Sequence, residues 1–154
     1  MREWLNQRFN NNFSEEDLSS IKDFSLIWNV FERVVCQTNF STPKVKQGIV
    51  DYAMNAVDFS THLIYFQQRY VTNDVLNQRF PHLNFRIANQ QELVENVLVG
   101  RNTDNDDVIL ALILIVYRYR NNLFHGIKDM KEIDQQKDNF DNANKVLQLY
   151  LNHF

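Results

Sequence analysis

The residue types able to do chemistry are concentrated in one short stretch: Arg118, Tyr119, Arg120, Asn121, Asn122, Leu123, Phe124, His125 and Gly126. A guanidinium presents paired donors to phosphate oxygens, an imidazole titrates near neutrality, and a side-chain amide orients either one. Those are the parts needed to hold a phosphodiester and cleave it without a metal. Asn121 and His125 are four positions apart, so on a helix they continue the stripe of Leu110, Leu114 and Tyr117. Arg120 precedes His125 by five positions, about 140° around an ideal helix, so the two converge on one ligand only if the helix unwinds near His125. Gly126 favours such an ending, because glycine takes the left-handed conformation that closes a helix. The same residues also compose an ordinary helix terminus, with cations at the negative end of the dipole and a glycine after it.

Elsewhere the sequence holds no glycine-rich phosphate loop, no HExxH, no GxSxG and no paired cysteines. His62, His82 and His153 have no ligand-spaced neighbour and read as surface or locally satisfied side chains. Asp51 with Asp58, and Glu92 with Glu95, fall on polar helix faces and read as solvated charges. Neither a metal nor a cofactor is expected.

The element that must position the reactive stretch runs from Asp104 to Gly126. Thr103 or Asp104 is placed to cap its first free N–H groups, and Asp106 and Asp107 lie where the helix dipole favours negative charge. Val108 to Tyr117 is apolar or aromatic throughout, which predicts a helix buried on all sides, in a core or a subunit interface. It is too short for a bilayer, which takes roughly 18 to 20 such residues.

The other elements follow from helical periodicity. Met1 to Phe13 is a short amphipathic helix or an arm packed on a partner. Ser14 opens a capping pattern, and Leu18, Ile21, Phe24, Trp28, Phe31 and Val35 carry a helix to about Thr38. Thr42 and Pro43 start a second long helix, with Val45, Ile49, Tyr52, Ala56, Phe59, Leu63 and Phe66 along one face. Between Val71 and Asn89 the pattern weakens. Val75, Leu76 and Phe80 suggest a helical turn, interrupted by Pro81. Gln90 to Val99 is a short helix stopped by Gly100, and Ile133 to Phe154 is a last one. No run alternates with period two, so the expected fold is an all-α antiparallel bundle of four long helices with one or two short ones.

At 154 residues, 44% hydrophobic and 13% aromatic, the chain suits one domain with its own core. Cys36, the single cysteine, sits in an apolar run and reads as a small buried side chain. With no secretion-type apolar segment near the start, a cytoplasmic location is expected. A net charge of −3 and a pI near 5.8 argue against a broad basic surface for nucleic acid, so any anion site must be local.

RNNLFHG resembles the Arg-x4-6-His motif of the HEPN superfamily (higher eukaryotes and prokaryotes nucleotide-binding domains), all-α bundles that carry it near the end of a later long helix. Arg120 to His125 leaves four intervening residues, Asn121 fits the polar residue that commonly follows the arginine, and Gly126 fits after the histidine. Arg118 is an alternative start with six; Arg120 is preferred because Asn121 then falls in place. The motif match covers about Tyr117 to Lys128, and the remainder agrees in helical class. The resemblance implies a metal-independent endoribonuclease working as a homodimer with a shared cleft. Arg120 would hold the phosphate, His125 would move the proton and Asn121 would orient them, while Arg118 and Lys128 would add positive charge for RNA. It also implies a toxin or phage-defence setting, with an antitoxin or a nucleotidyltransferase-type protein as partner. Other members keep the fold without cleaving RNA, so the alternative is a nucleotide-binding or assembly module.

Overall fold

In the computed structural model, which describes residues 1–124 and 136–154, seven α-helices follow one another. They are α1 (Arg2–Phe9), α2 (Glu15–Val34), α3 (Thr42–Asp51), α4 (Ser60–Tyr70), α5 (Ala88–Leu98), α6 (Asn105–Phe124) and α7 (Lys137–His153). The all-α bundle expected from the sequence is what forms. Ile133, expected near the start of the last helix, lies outside the described residues. Among the described residues no helix is long and apolar enough to cross a membrane.

Every residue from Val108 to Val116 is buried, so α6 is the axis that the other helices cover. A helix without a polar face is stable only when enclosed. Here the chain itself encloses Val108 to Val116, while Phe124 at the end of α6 stays exposed. Asp104 begins α6, its side-chain oxygen accepting from the Asp107 backbone N–H at 3.2 Å. Ser14 and Asp17 make the reciprocal capping box that starts α2.

The α2 and α7 helices run side by side in the same direction. Ser20 donates to Asp141, Asn144 donates to the Ser20 carbonyl, Phe24 meets Phe140 and Phe31 meets Tyr150. Against α2, α6 runs the opposite way, with Trp28 on Tyr117 and Leu18 near Leu123. The antiparallel expectation therefore holds for α6 with α2 and not for α2 with α7. Gly48 lets α3 sit against the chain's last helix: a Cβ there would lie 2.5 Å from the Tyr150 hydroxyl oxygen. That hydroxyl donates to the Val45 carbonyl at 2.9 Å.

Two expectations need correction. The single helix expected from Thr42 through Phe66 is two, α3 and α4, separated by a turn with a 3₁₀ segment at Met54–Ala56. Ala53 takes a left-handed φ of 49°, Asp58 accepts from the Ser60 N–H at 2.8 Å, and Asn105 of α6 donates to the Asn55 carbonyl at 2.6 Å. The apolar spacing hides the break, because Met54 and Phe59 stay buried across it. The region after α4 contains a small antiparallel hairpin, β1 (Val71–Thr72) and β2 (Val75–Leu76), where a helical turn was expected. Asn73 and Asp74 both have positive φ, as a two-residue hairpin turn requires. Pro81 lies in the first turn of a 3₁₀ segment, Phe80–Leu83, and does not interrupt a helix.

Candidate functional site

The last two turns of α6 are polar but only partly open. Asn121 and Asn122 are buried, Arg118 is 6% exposed, and Arg120 is half-buried. Arg118 points to the 3₁₀ segment, its Nε donating to the Leu83 carbonyl at 3.0 Å. Asn122 Nδ2 donates to the His82 carbonyl at 2.9 Å. These two side chains hold the irregular segment onto α6, and in doing so they place Arg86 and the start of α5 beside the motif.

The result is a cleft of about 290 Å³ lined by Arg86, Gln90, Tyr117, Arg118, Arg120 and Asn121, with Ile87 at its side. Three arginines thus line one small cavity in an acidic protein. Burial first, and then the neighbouring Arg86, pushes the Arg118 guanidinium below its ordinary value, with Tyr117 opposing. It nevertheless stays charged, as arginine does in proteins.

Arg120 is held less completely. Its Nη1 donates to Asn121 Oδ1 at 3.1 Å, its Nη2 is 3.9 Å from Glu32 of α2, and its guanidinium carbon lies 5.3 Å from the Phe124 ring centre. The buried Nε has no hydrogen-bond partner among the described residues. Asn121 is thus a hydrogen-bond partner of Arg120, and Glu32 is the carboxylate within 4.0 Å of it among the described residues. Tyr117 stands at the wall in an aromatic stack, 3.9 Å from Phe40 and 5.9 Å from Trp28 between ring centres.

The structure thus brings Arg118, Arg120 and Asn121 to one cleft. His125, Gly126 and Lys128 lie outside the described residues. The chain matches no family model, no curated protein and no solved structure. Arg86 and Gln90 line the cleft and Glu32 contacts Arg120, and sequence reasoning singled out none of them. Arg86 falls in the stretch with the weakest periodicity, and Glu32 has the ordinary look of a charge on the flank of an amphipathic helix. No signal in a single sequence marks either one.

Proposed function

We propose that this protein is a metal-independent endoribonuclease of HEPN type, working as a homodimer and serving as a toxin or phage-defence effector. The observation that carries the reading is the cleft in which Arg120 and Asn121 meet Arg86 and Arg118, with the buried Nε of Arg120 unpartnered among the described residues. Such a cluster suits a phosphodiester, whose charge grows during transesterification. The RNA 2′-hydroxyl attacks the adjacent phosphorus, the bond to the 5′ oxygen breaks, and that oxygen takes a proton. The products are a 2′,3′-cyclic phosphate and a 5′-hydroxyl. Arg120, oriented by Asn121, holds the phosphate oxygens, and His125 handles the proton. Arg118 adds charge from its fixed position, and Lys128 is the further basic residue assigned to RNA binding.

The test is cleavage of total RNA in EDTA by the wild type, Arg120→Ala and His125→Ala, with the product ends analysed. Cleavage that persists in EDTA, leaves cyclic phosphate ends and is lost in both variants supports the reading. Intact RNA with folded wild-type protein overturns it.

One observation favours a second reading. Glu32 already faces Arg120 at 3.9 Å, so this arginine has a carboxylate of the chain itself as a partner. A non-catalytic nucleotide-binding or assembly module would need nothing more. In that case a nucleotide or a protein partner, such as an antitoxin or a nucleotidyltransferase-type protein, would compete with Glu32 for Arg120.

A further inference from the structure

The outward side of α2 carries an apolar stripe that no other element covers among the described residues. Leu26, Val30 and Val34 succeed one another at every fourth residue and are 70%, 49% and 47% exposed. On the opposite side the helix buries Phe24, Trp28 and Phe31, so packing within the chain is complete without the stripe. Asp23 and Arg33, both exposed, flank Leu26 and Val30, and neither forms an ion pair among the described residues. The order Asp23, Leu26, Val30, Arg33 has spacings of three, four and three, the seam spacing of paired helices.

This pattern is complementary to its own reverse. Two copies of α2 laid antiparallel about a two-fold axis between Leu26 and Val30 set each Leu26 against Val30 of the second copy. The same axis sets each Asp23 beside Arg33 of the second copy. A parallel pairing would instead oppose aspartate to aspartate and arginine to arginine, which is repulsive. Self-complementarity about a two-fold axis is what a closed dimer requires.

We propose that the outer face of α2 is the surface through which two copies of this chain associate, antiparallel, with the Asp23–Arg33 pairs fixing the register. The proposal gives a surface to the dimer invoked above and rests on that part of the reading alone. Glu32, the carboxylate beside Arg120, precedes Arg33 by one position and so points about 100° round the helix from it, which leaves the Arg120 cleft outside the seam and unshared between the two copies. A single helix pair covers less than the roughly 1,600 Å² of a standard interface, so association is expected at micromolar concentration.

The test is sedimentation equilibrium of the full chain as wild type, Asp23→Arg, Arg33→Asp, the double variant, and an equimolar mixture of the two single variants. Wild type is expected to dimerise, and each single reversal to weaken self-association by roughly tenfold or more. The double variant is expected to recover it. So is the mixture, because each single variant then finds opposite charges on the other at both ends. Recovery on mixing also shows that the single variants are folded. A wild type that stays monomeric overturns the proposal, as does a dimer indifferent to the single reversals, or a mixture that does not recover. RNA cleavage is not part of this measurement, so loss of the proposed surface and loss of the proposed activity are read separately.

Discussion

Arg118 and Arg120 are close in sequence and differ in what holds them. Arg118 is almost wholly buried and joined to the Leu83 carbonyl, so its truncation removes one of the two side chains that hold the 3₁₀ segment on α6 and leaves that buried acceptor with only a 3.4 Å bond from Asn122. Arg118→Ala is expected to lower unfolding free energy by about 1 to 3 kcal/mol in urea titration. Arg120 is half-buried, with a long contact to Glu32, and Arg120→Ala is expected to change stability by less than about 1 kcal/mol in the same titration. If the two variants destabilise equally, the distinction between an anchoring and a ligand-facing arginine is wrong. Glu32 gives a second expectation at this scale. Glu32→Gln removes the carboxylate that competes with a phosphate for Arg120, so filter binding of a 2′-deoxy RNA analogue should tighten roughly 1.5- to 5-fold. Unchanged or weaker binding would mean that the anion does not meet Arg120.

At the scale of elements, the seating of α3 on α7 depends on an absent side chain. Gly48→Ala brings a methyl group to within 2.5 Å of the Tyr150 oxygen and 2.9 Å of Phe154 Cε2. Alanine ordinarily favours a helix, yet here a loss of about 1 to 3 kcal/mol is expected, again from urea titration. A stabilised Gly48→Ala variant would show that α3 shifts freely. Helix starts and buried faces were legible in the sequence because capping residues and periodicity are local: Ser14, Asp104 and the run from Val108 to Val116 all behave as their spacing suggested. The break between α3 and α4 was not legible, because Met54 and Phe59 keep an apolar rhythm through the turn. The hairpin carried a signal in Asn73 and Asp74, obscured by strands of only two residues each. Arg120 and Asn121 are neighbours in the sequence, whereas Arg86 reaches the cleft and Glu32 reaches Arg120 from distant segments through tertiary packing alone.

For the molecule as a whole, acid should be destabilising through one identifiable group. His62 on α4 is half-buried with Nδ1 unpartnered among the described residues. Burial first, and Lys145 second, lowers its pKa below the ordinary 6.5, against a smaller opposing effect of Asp58. The fold therefore favours the neutral ring and binds fewer protons than the unfolded chain, so this contribution is present above about pH 6.5 and declines as the pH falls below it. Urea midpoints measured between about pH 5 and 8 should show that decline in the wild type and a flatter profile in His62→Gln. Identical profiles would remove His62 as the cause. The two tryptophans also differ in a way that follows from the fold: Trp4 is 58% exposed, while Trp28 is 3% exposed and stacked on Tyr117 at the wall of the arginine cleft. A Trp4→Phe protein would keep a single indole emitter beside the proposed binding site, so its own fluorescence would report the filling of the cleft.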